Sequence, residues 1–406
     1  MKKVSYQKLE NYNPFFWGLV ALNGAIIFAG LGAAYVMEHR GHIVSGMNNQ
    51  IVWGLPHVFA VFLIVAASGA LNVASVSSVF NRPEYKPYAR LSGLLAITLL
   101  VGGLSVLVLD LGRPDRLIVA MTTYNFKSIF AWNIYLYIGF LALVAAYLFA
   151  MMDRRASRTT LLGKAVGWFA FVWRLVLTTG TGSIFGWLVA RESYDAAIMA
   201  PLFIAASLLY GLAFAVLALA IAGQQLHENL VIDEMLGKIR GLLVIFALAV
   251  LYFTAAHHLK NIYGSQHRGV ERFLLLEGGI YTGVFWVGQL LVGSILPLLI
   301  LAAPMFGRSR VAITAASVLF LVGGLAQMYV IIIGGQAYPL DLLPGRDVSS
   351  LFQDGRVAHY GSSLPEVLLG MSGLSIAMLL TGIASRLLPF LPRFAKEQGA
   401  GGTAAA

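Results

Sequence analysis

The amino-acid sequence predicts an all-α integral membrane protein, and three observations carry that prediction. Of 406 residues, 59% are hydrophobic and only 11% charged, against about 45 to 50% and 25% in soluble domains. Apolar runs such as Ile97 to Leu109 and Leu208 to Ala222 are continuous, whereas a membrane β-strand alternates apolar and polar residues over about ten positions. Many runs reach the roughly 20 residues that a helix needs to cross a hydrocarbon core of about 30 Å. These features exclude a soluble enzyme.

Ten spans follow in order, at 15–37, 51–79, 91–109, 129–151, 165–190, 198–226, 241–259, 280–304, 311–335 and 366–391. The first is preceded by polar Met1 to Pro14 with three lysines and is too long for a signal-peptide core, so it reads as a retained helix. With the N-terminus in the cytoplasm, inner segments hold 17 Lys and Arg and outer segments 10. The positive-inside rule then sets both termini on the cytoplasmic side of a bacterial inner membrane. Acids divide as 7 inner and 11 outer, so the +10 net charge is a topology signal and implies no nucleic-acid partner. The inner connection Asp153 to Lys164 is short and basic, a stop-transfer flank, and the tail Gln398 to Ala406 is low-complexity and reads as disordered. The outer connections Leu109 to Ser128, His257 to Gly279 and Gln336 to Pro365 mix Pro, Gly, Asp, Tyr and His, and offer ground for a docked partner.

An internal echo runs through the spans. Pro56 stands early in the second and Pro201 early in the sixth, while Phe130-Ala131-Trp132 is matched by Val284-Phe285-Trp286. The pattern points to two four-helix bundles, 51–197 and 198–335, related by an axis along the membrane normal, because an even offset preserves orientation. Residues 1–50 then hold the N-terminal segment, first helix and outer loop, and 336–406 an outer loop, the last helix and the tail.

The protein has no cysteine and so holds no thiolate-ligated cluster and no disulfide. All 18 acids fall in loops or near helix ends, which weighs against a secondary transporter relaying ions through carboxylates at the membrane centre. Arg174 alone lies deep, with Thr178, Thr179 and Ser183 on its stripe; it reads either as a functional cation or as one paired with helix carbonyls. A b-haem cytochrome needs paired histidines at matching depths. Five of the eight histidines (His39, His42, His227, His267 and His359) fall in connections or at their edges, leaving His57 with His257 or His258 as an outer pair and no inner station. Polar side chains gather instead at the outer ends: Glu38 and His39, His57, Asp110, then Arg113, Asp115 and Arg116. A capped interfacial turn with arginines on headgroups and a reactive layer both fit that pattern.

The run Asp110-Leu111-Gly112-Arg113-Pro114, the following Asn125-Phe126-Lys127-Ser128 and the Trp132 helix resemble the polysulfide-reductase-type membrane subunits, the NrfD/PsrC family, over spans two to nine. Ten spans resemble its longer, DsrP-like branch. The resemblance implies a subunit of a respiratory or sulfur-metabolism complex that carries no haem, flavin or iron–sulfur cluster itself. It implies a quinone, ubiquinone or menaquinone, bound near the outer surface. It also implies electron exchange with a periplasmic ferredoxin-like iron–sulfur subunit, alongside further membrane and cytochrome or catalytic subunits. The family's histidine early in the first bundle helix matches His57, with Trp53 one turn before it; Ser68 and Asn72 stand where relatives carry a deeper histidine.

Quinone reduction adds two electrons and two protons, so a group facing the carbonyl must also exchange protons with water. An imidazole with an unperturbed pKa near 6.5 suits that task, and a neighbouring carboxylate can relay the proton. His57 and Asp110 are therefore the catalytic candidates. Trp53, Arg113, Tyr124, Asn125, Lys127 and Trp132 are further contacts, and Phe59, Phe62 and Phe130 apolar walls.

The topology is open to test with single cysteines introduced at Ser45 and Ser157. An impermeant thiol reagent should label only the first in intact cells, and the reverse pattern would overturn the orientation.

Overall fold

The computed structural model describes residues 5–9, 14–72, 74, 83–152, 160–226, 229–304, 307–340 and 356–393. The connection 153–159, His227, residues 341–355 of the last outer connection and the tail 398–406 lie outside the described residues. Helices dominate: α1 (Pro14–Arg40), α2 (Leu55–Ala70), α3 (Ala89–Leu109), α4 (Ile129–Met152), α5 (Thr160–Trp187), α6 (Met199–Leu226), α7 (Asn229–Tyr263), α8 (Ile280–Ala302), α9 (Arg310–Ala337) and α10 (Leu364–Leu387). Eight of them are long and apolar enough among the described residues to cross a membrane; α2 is shorter and α5 carries the polar stripe around Arg174. The only strands among the described residues are β1 (Ser5–Gln7) and β2 (Leu391–Arg393), paired antiparallel with Tyr6 opposite Pro392. That ribbon brings both terminal segments to one end of the helices.

Helix α2 is the hub. It packs on α3, α6, α10 and α9, and nearly every residue from Val58 to Ala70 is buried. This accounts for its uninterrupted apolar sequence, since a helix contacted on all sides has no face left to be polar. Around it, α4 packs on α3 and α5, α7 on α6, α8 on α9, and α1 lies along α10. Large apolar side chains such as Phe28, Phe149, Tyr252 and Leu299 point outward and are exposed, which is the surface an apolar solvent requires.

Boundaries shift where local chemistry intervenes. The second span starts at Leu55 rather than at 51, because Gly54 is extended and Pro56 sits in the first turn, where a missing N–H costs nothing. The last begins at Leu364 under a capping box, Ser363 accepting from the Glu366 N–H while the Glu366 carboxylate accepts from the Ser363 N–H. Segments of α8 (Val284–Ile295) and α9 (Val330–Gly334) are wound as π-helix.

At the terminal face, arginines close helix ends. Arg90 of α3 donates to Met151 O of α4 at 2.8 Å, and Arg240 of α7 donates to Leu301 O of α8 at 2.9 Å through Nε. Both satisfy carbonyls that a helix C-terminus leaves unpaired. The opposite, distal face gathers the connections 41–54, 110–128, 188–198, 264–279 and 356–363; Arg191 joins 188–198 to 41–54 by a hydrogen bond to Gln50 O, and His267 of 264–279 lies 3.9 Å from Asp195 of 188–198.

Helices α2 and α6 cross at a pair of glycines. A Cβ on Gly211 would collide with the Ala70 nitrogen, and one on Gly69 with Ser207 O. Backbone lacks the give of a flexible side group, so Gly211→Ala should force the hub apart and destabilise the protein by about 1 to 3 kcal/mol or more. Thermal unfolding of the detergent-solubilised variant checks this; an unchanged midpoint would contradict the crossing.

Candidate functional site

The strongest polar construction on the distal face surrounds the start of α2. Asn48 Oδ1 accepts from the N–H groups of Gln50 and Ile51 at 2.9 and 2.8 Å, bending the backbone ahead of the helix. The side chain of Gln336, at the end of α9, then grips the extended backbone. Its Oε1 accepts from Val52 N and Trp53 N at 3.0 and 3.1 Å, and its Nε2 donates to Trp53 O and Ile332 O at 3.0 and 2.9 Å. Gln50 Nε2 reciprocates by donating to the carbonyls of Gln336, Ala337 and Tyr338. Arg191 fastens both partners, donating to Gln50 O at 2.6 Å and to Gln336 O at 3.2 Å.

This frame fixes the Trp53 indole in an aromatic cluster. Its ring stacks on His57 at 5.1 Å between centroids with 10° between planes, and lies 6.1 Å from Tyr194, 5.7 Å from Phe130 and 5.9 Å from Phe185. Tyr194 is held in turn by donation to Ile332 O at 2.6 Å. His57 itself is half-buried.

A carboxyl pair lies on the other side of the α2 start. Glu366 is fully buried; its Oε1 accepts from Tyr360 OH at 2.7 Å and its Oε2 from Gly46 N and Ser363 N at 2.8 Å. Tyr360 OH accepts from Leu55 N at 2.7 Å, so the first turn of α2 is joined to the carboxylate through one phenol. Gly54 packs so closely that a Cβ there would collide with Glu366 Oε1. Asp110 caps the end of α3 with a buried Oδ1 that has no hydrogen-bond partner. Burial, and secondarily the charge of Glu366, push its carboxyl from 3.8 up to about 7.

The other residues singled out by sequence fall around this core. Arg113 is exposed and turned into solvent, where it pairs with Asp115 at 3.2 Å; that contact holds the Asp115 carboxyl below its ordinary value. Asn125 Oδ1 accepts from Lys127 N at 2.9 Å, Trp132 Nε1 donates to Phe126 O at 2.7 Å, and Tyr124 packs on Phe126 and Tyr135. Tyr124, Asn125, Lys127 and Trp132 thus knit the turn before α4. Phe130 faces Trp53 while Trp132, two residues on and roughly 200° around the helix, faces away. Phe59 lies against Gly370 of α10 and Phe62 against Tyr210 and Phe214 of α6, so of the three phenyl walls only Phe130 reaches Trp53. Arg174 is buried over the Phe171 ring at 4.8 Å with its Nε unpaired, and its own carbonyl accepts from Ser68 and Thr178.

Sequence reasoning missed Gln50, Arg191, Tyr194, Gln336, Tyr360 and Glu366. Only Glu366 carried a local signal, the Ser363-Leu364-Pro365-Glu366 capping pattern. Gln50, Arg191, Tyr194 and Gln336 meet one another and Trp53 across more than a hundred residues of sequence, and Tyr360 meets Leu55 across 305, which no periodicity reveals.

A multi-helix membrane protein with its polar groups concentrated on one face is the class defined so far. The profile of the NrfD family, described as polysulphide reductase, NrfD, matches residues 43–339, and the chain belongs to that family. It is 27% identical to the Hdr-like menaquinol oxidoreductase integral membrane subunit of Archaeoglobus fulgidus, over 97% of this chain and 98% of that one. It is 22% identical to the integral membrane subunit of menaquinone reductase of Nitratidesulfovibrio vulgaris, over 90% of each. With a polysulfide reductase chain of Wolinella succinogenes it shares 23% identity over 71% of this chain and 96% of that one.

Removing the grip on α2 should be costly. Gln336→Leu leaves the part-buried Val52 and Trp53 N–H groups without their acceptor, at up to about 1 to 3 kcal/mol for each donor that water does not reach. Thermal unfolding and the Trp53 contribution to fluorescence, isolated against Trp53→Phe, should both shift; a wild-type profile would show the frame to be dispensable.

Proposed function

We propose that the chain is the quinone-interacting membrane subunit of a respiratory redox complex. In this reading it exchanges electrons between a membrane quinone and an iron–sulfur subunit docked on the distal face, which faces the periplasm while both termini face the cytoplasm. The observation that carries the reading is the Trp53–His57 stack fixed at the start of α2 by the Gln336 grip, with the buried, unpartnered Asp110 carboxyl oxygen at the distal end of the neighbouring helix α3. The names of two relatives, a menaquinol oxidoreductase and a menaquinone reductase subunit, support a quinone as reaction partner, and the multi-subunit reductases named among the relatives support catalytic partners. Alignment with the Hdr-like subunit along nearly the whole length supports the longer, ten-span branch over the shorter polysulfide reductase type.

The residues divide the chemistry. A quinone ring is flat and apolar with a polar oxygen at each end, so it needs an aromatic wall and a hydrogen-bonding edge. Trp53 and Phe130 supply the wall, and His57 supplies the edge, donating to a quinone oxygen or accepting the proton of a quinol. Asp110 is the exchange point with bulk water: at a pKa of about 7 it is protonated and ionised in comparable amounts at neutral pH. The lipid-facing helices α4 and α5 give the isoprenoid tail its way in. Electrons pass to the partner's clusters, since this chain has no thiolate to hold one.

His57→Ala should lower quinone-coupled turnover by about 10²- to 10⁴-fold while the complex assembles and the partner's clusters remain reducible by dithionite. Asp110→Asn adds a pH signature. Quinol oxidation needs the ionised carboxylate as acceptor and should rise as pH increases through about 7 in the wild type; quinone reduction needs the acid and should fall over the same interval. In the asparagine variant both inflections should vanish. Wild-type rates and profiles in both variants would move the pocket elsewhere.

A further inference from the structure

A second polar cluster, unused by the chemistry above, stands at the distal end of α7. His257 and His258 project from its last turns, and Glu271 comes from the short helix Arg268–Arg272 that turns the connection back toward α8. One ligating atom from each of the three lies within 4.8 Å of the others. His257 and Glu271 are 7% and 2% exposed, and His258 is nearly as enclosed. Glu271 Oε2 meets His258 Nδ1 at 2.6 Å, and Oε1 accepts from Asn261 Nδ2 at 2.8 Å. The cluster therefore gathers one carboxyl and two imidazoles in an enclosed space.

Hydrogen bonding leaves this cluster incomplete. His257 Nδ1, Asn261 Oδ1 and Gln289 Oε1 are buried without partners, a state that native structures rarely tolerate. Beside them is a cavity of about 30 Å³ lined by His257, His258, Gln289, Thr254, Gln327 and Ser193. It has room for a water or two, and is far too small for a quinone ring.

We propose that His257, His258 and Glu271 bind one divalent transition-metal cation, with zinc the ion that best fits the donor set. Two imidazoles and one carboxylate form a three-ligand set that zinc takes with water in the fourth position, and the adjoining cavity is where that water fits. Calcium and magnesium call for six or more oxygens, which three residues with one carboxylate do not offer. The hydrogen bond from Asn261, which is not itself a ligand, to the Glu271 carboxylate is the kind of support that orients a metal ligand. The bound ion ties the connection 264–279 to α7, fixing the part of the distal face that borders α8.

The test uses the full-length protein, without a histidine tag, purified in detergent, stripped with chelator, incubated with zinc chloride or cobalt chloride and freed of excess ion by gel filtration. About one zinc per protein molecule should remain, and the cobalt form should show the intense visible bands of a four-coordinate site. His257→Ala and Glu271→Ala should each retain less than about a tenth of the wild-type metal. Asn261→Ala, which keeps all three ligands, should still fill at saturating zinc but with affinity weakened by about 10- to 100-fold. Wild-type protein that retains no zinc, or that shows only the weak spectrum of aqueous cobalt, would overturn the proposal whether or not the variants fold. Folded His257→Ala or Glu271→Ala protein, matched to wild type by circular dichroism, that retains wild-type metal would overturn it equally.

Discussion

In a hydrocarbon solvent a backbone N–H or carbonyl without a partner costs several kcal/mol, so any break in helical structure near the membrane must be repaired by the protein. The break before α2 is repaired by one amide. Gln336 has two donor hydrogens and two acceptor lone pairs, and four hydrogen bonds, three of them to residues 52 and 53, use all of them. A serine or asparagine is too short or too poor in donors to do the same, and a charged residue would bring an uncompensated ion. Because α2 is packed from every direction, the position of its first turn sets the depth and rotation of the helix around which the rest are arranged. The site residues Trp53 and His57 inherit their placement from that grip.

Helices α2–α5 and α6–α9 share devices at matching places. Arg90 of α3 caps α4, and Arg240 of α7 caps α8. Trp132 of α4 donates its indole N–H to a carbonyl of the preceding connection, Phe126 O, and Trp286 of α8 does so to Leu275 O. Pro56 and Pro201 both stand in the first turns of their helices. All three pairs are offset by four helices, the parallel relationship that an even offset demands. Divergence is concentrated in the titratable groups: Asp110 at the end of α3 has at the corresponding end of α7 the imidazoles His257 and His258.

Much of the helical layout was legible because span length and continuous apolarity are local properties. The gathering of polar groups at the helix ends was legible too, since charges avoid the hydrocarbon and collect there. What the sequence concealed was which polar residues meet. Asn125 and Trp132 lie close to Asp110 in sequence, yet their side chains bond to backbone of their own turn, at Lys127 N and Phe126 O. Gln336 and Glu366 lie far away in sequence, yet they frame Trp53 and Gly54. Helical geometry separates Phe130 from Trp132 by more than half a turn, so a motif read as one unit divides between the aromatic cluster and the lipid.

The start of α2 keeps two kinds of chemistry apart and yet connected. Aromatic rings occupy the side toward α4 and α5, where Trp53, Phe130, Phe185 and Tyr194 form a low-dielectric wall. Carboxyls occupy the side toward α10, where Glu366 collects three donors while Asp110, short of donors, is left to titrate near neutrality. Burial first, and the charge of Glu366 second, hold the Asp110 carboxyl above its ordinary value. Gly54 and Leu55 run between the two sides and meet the Tyr360–Glu366 pair directly.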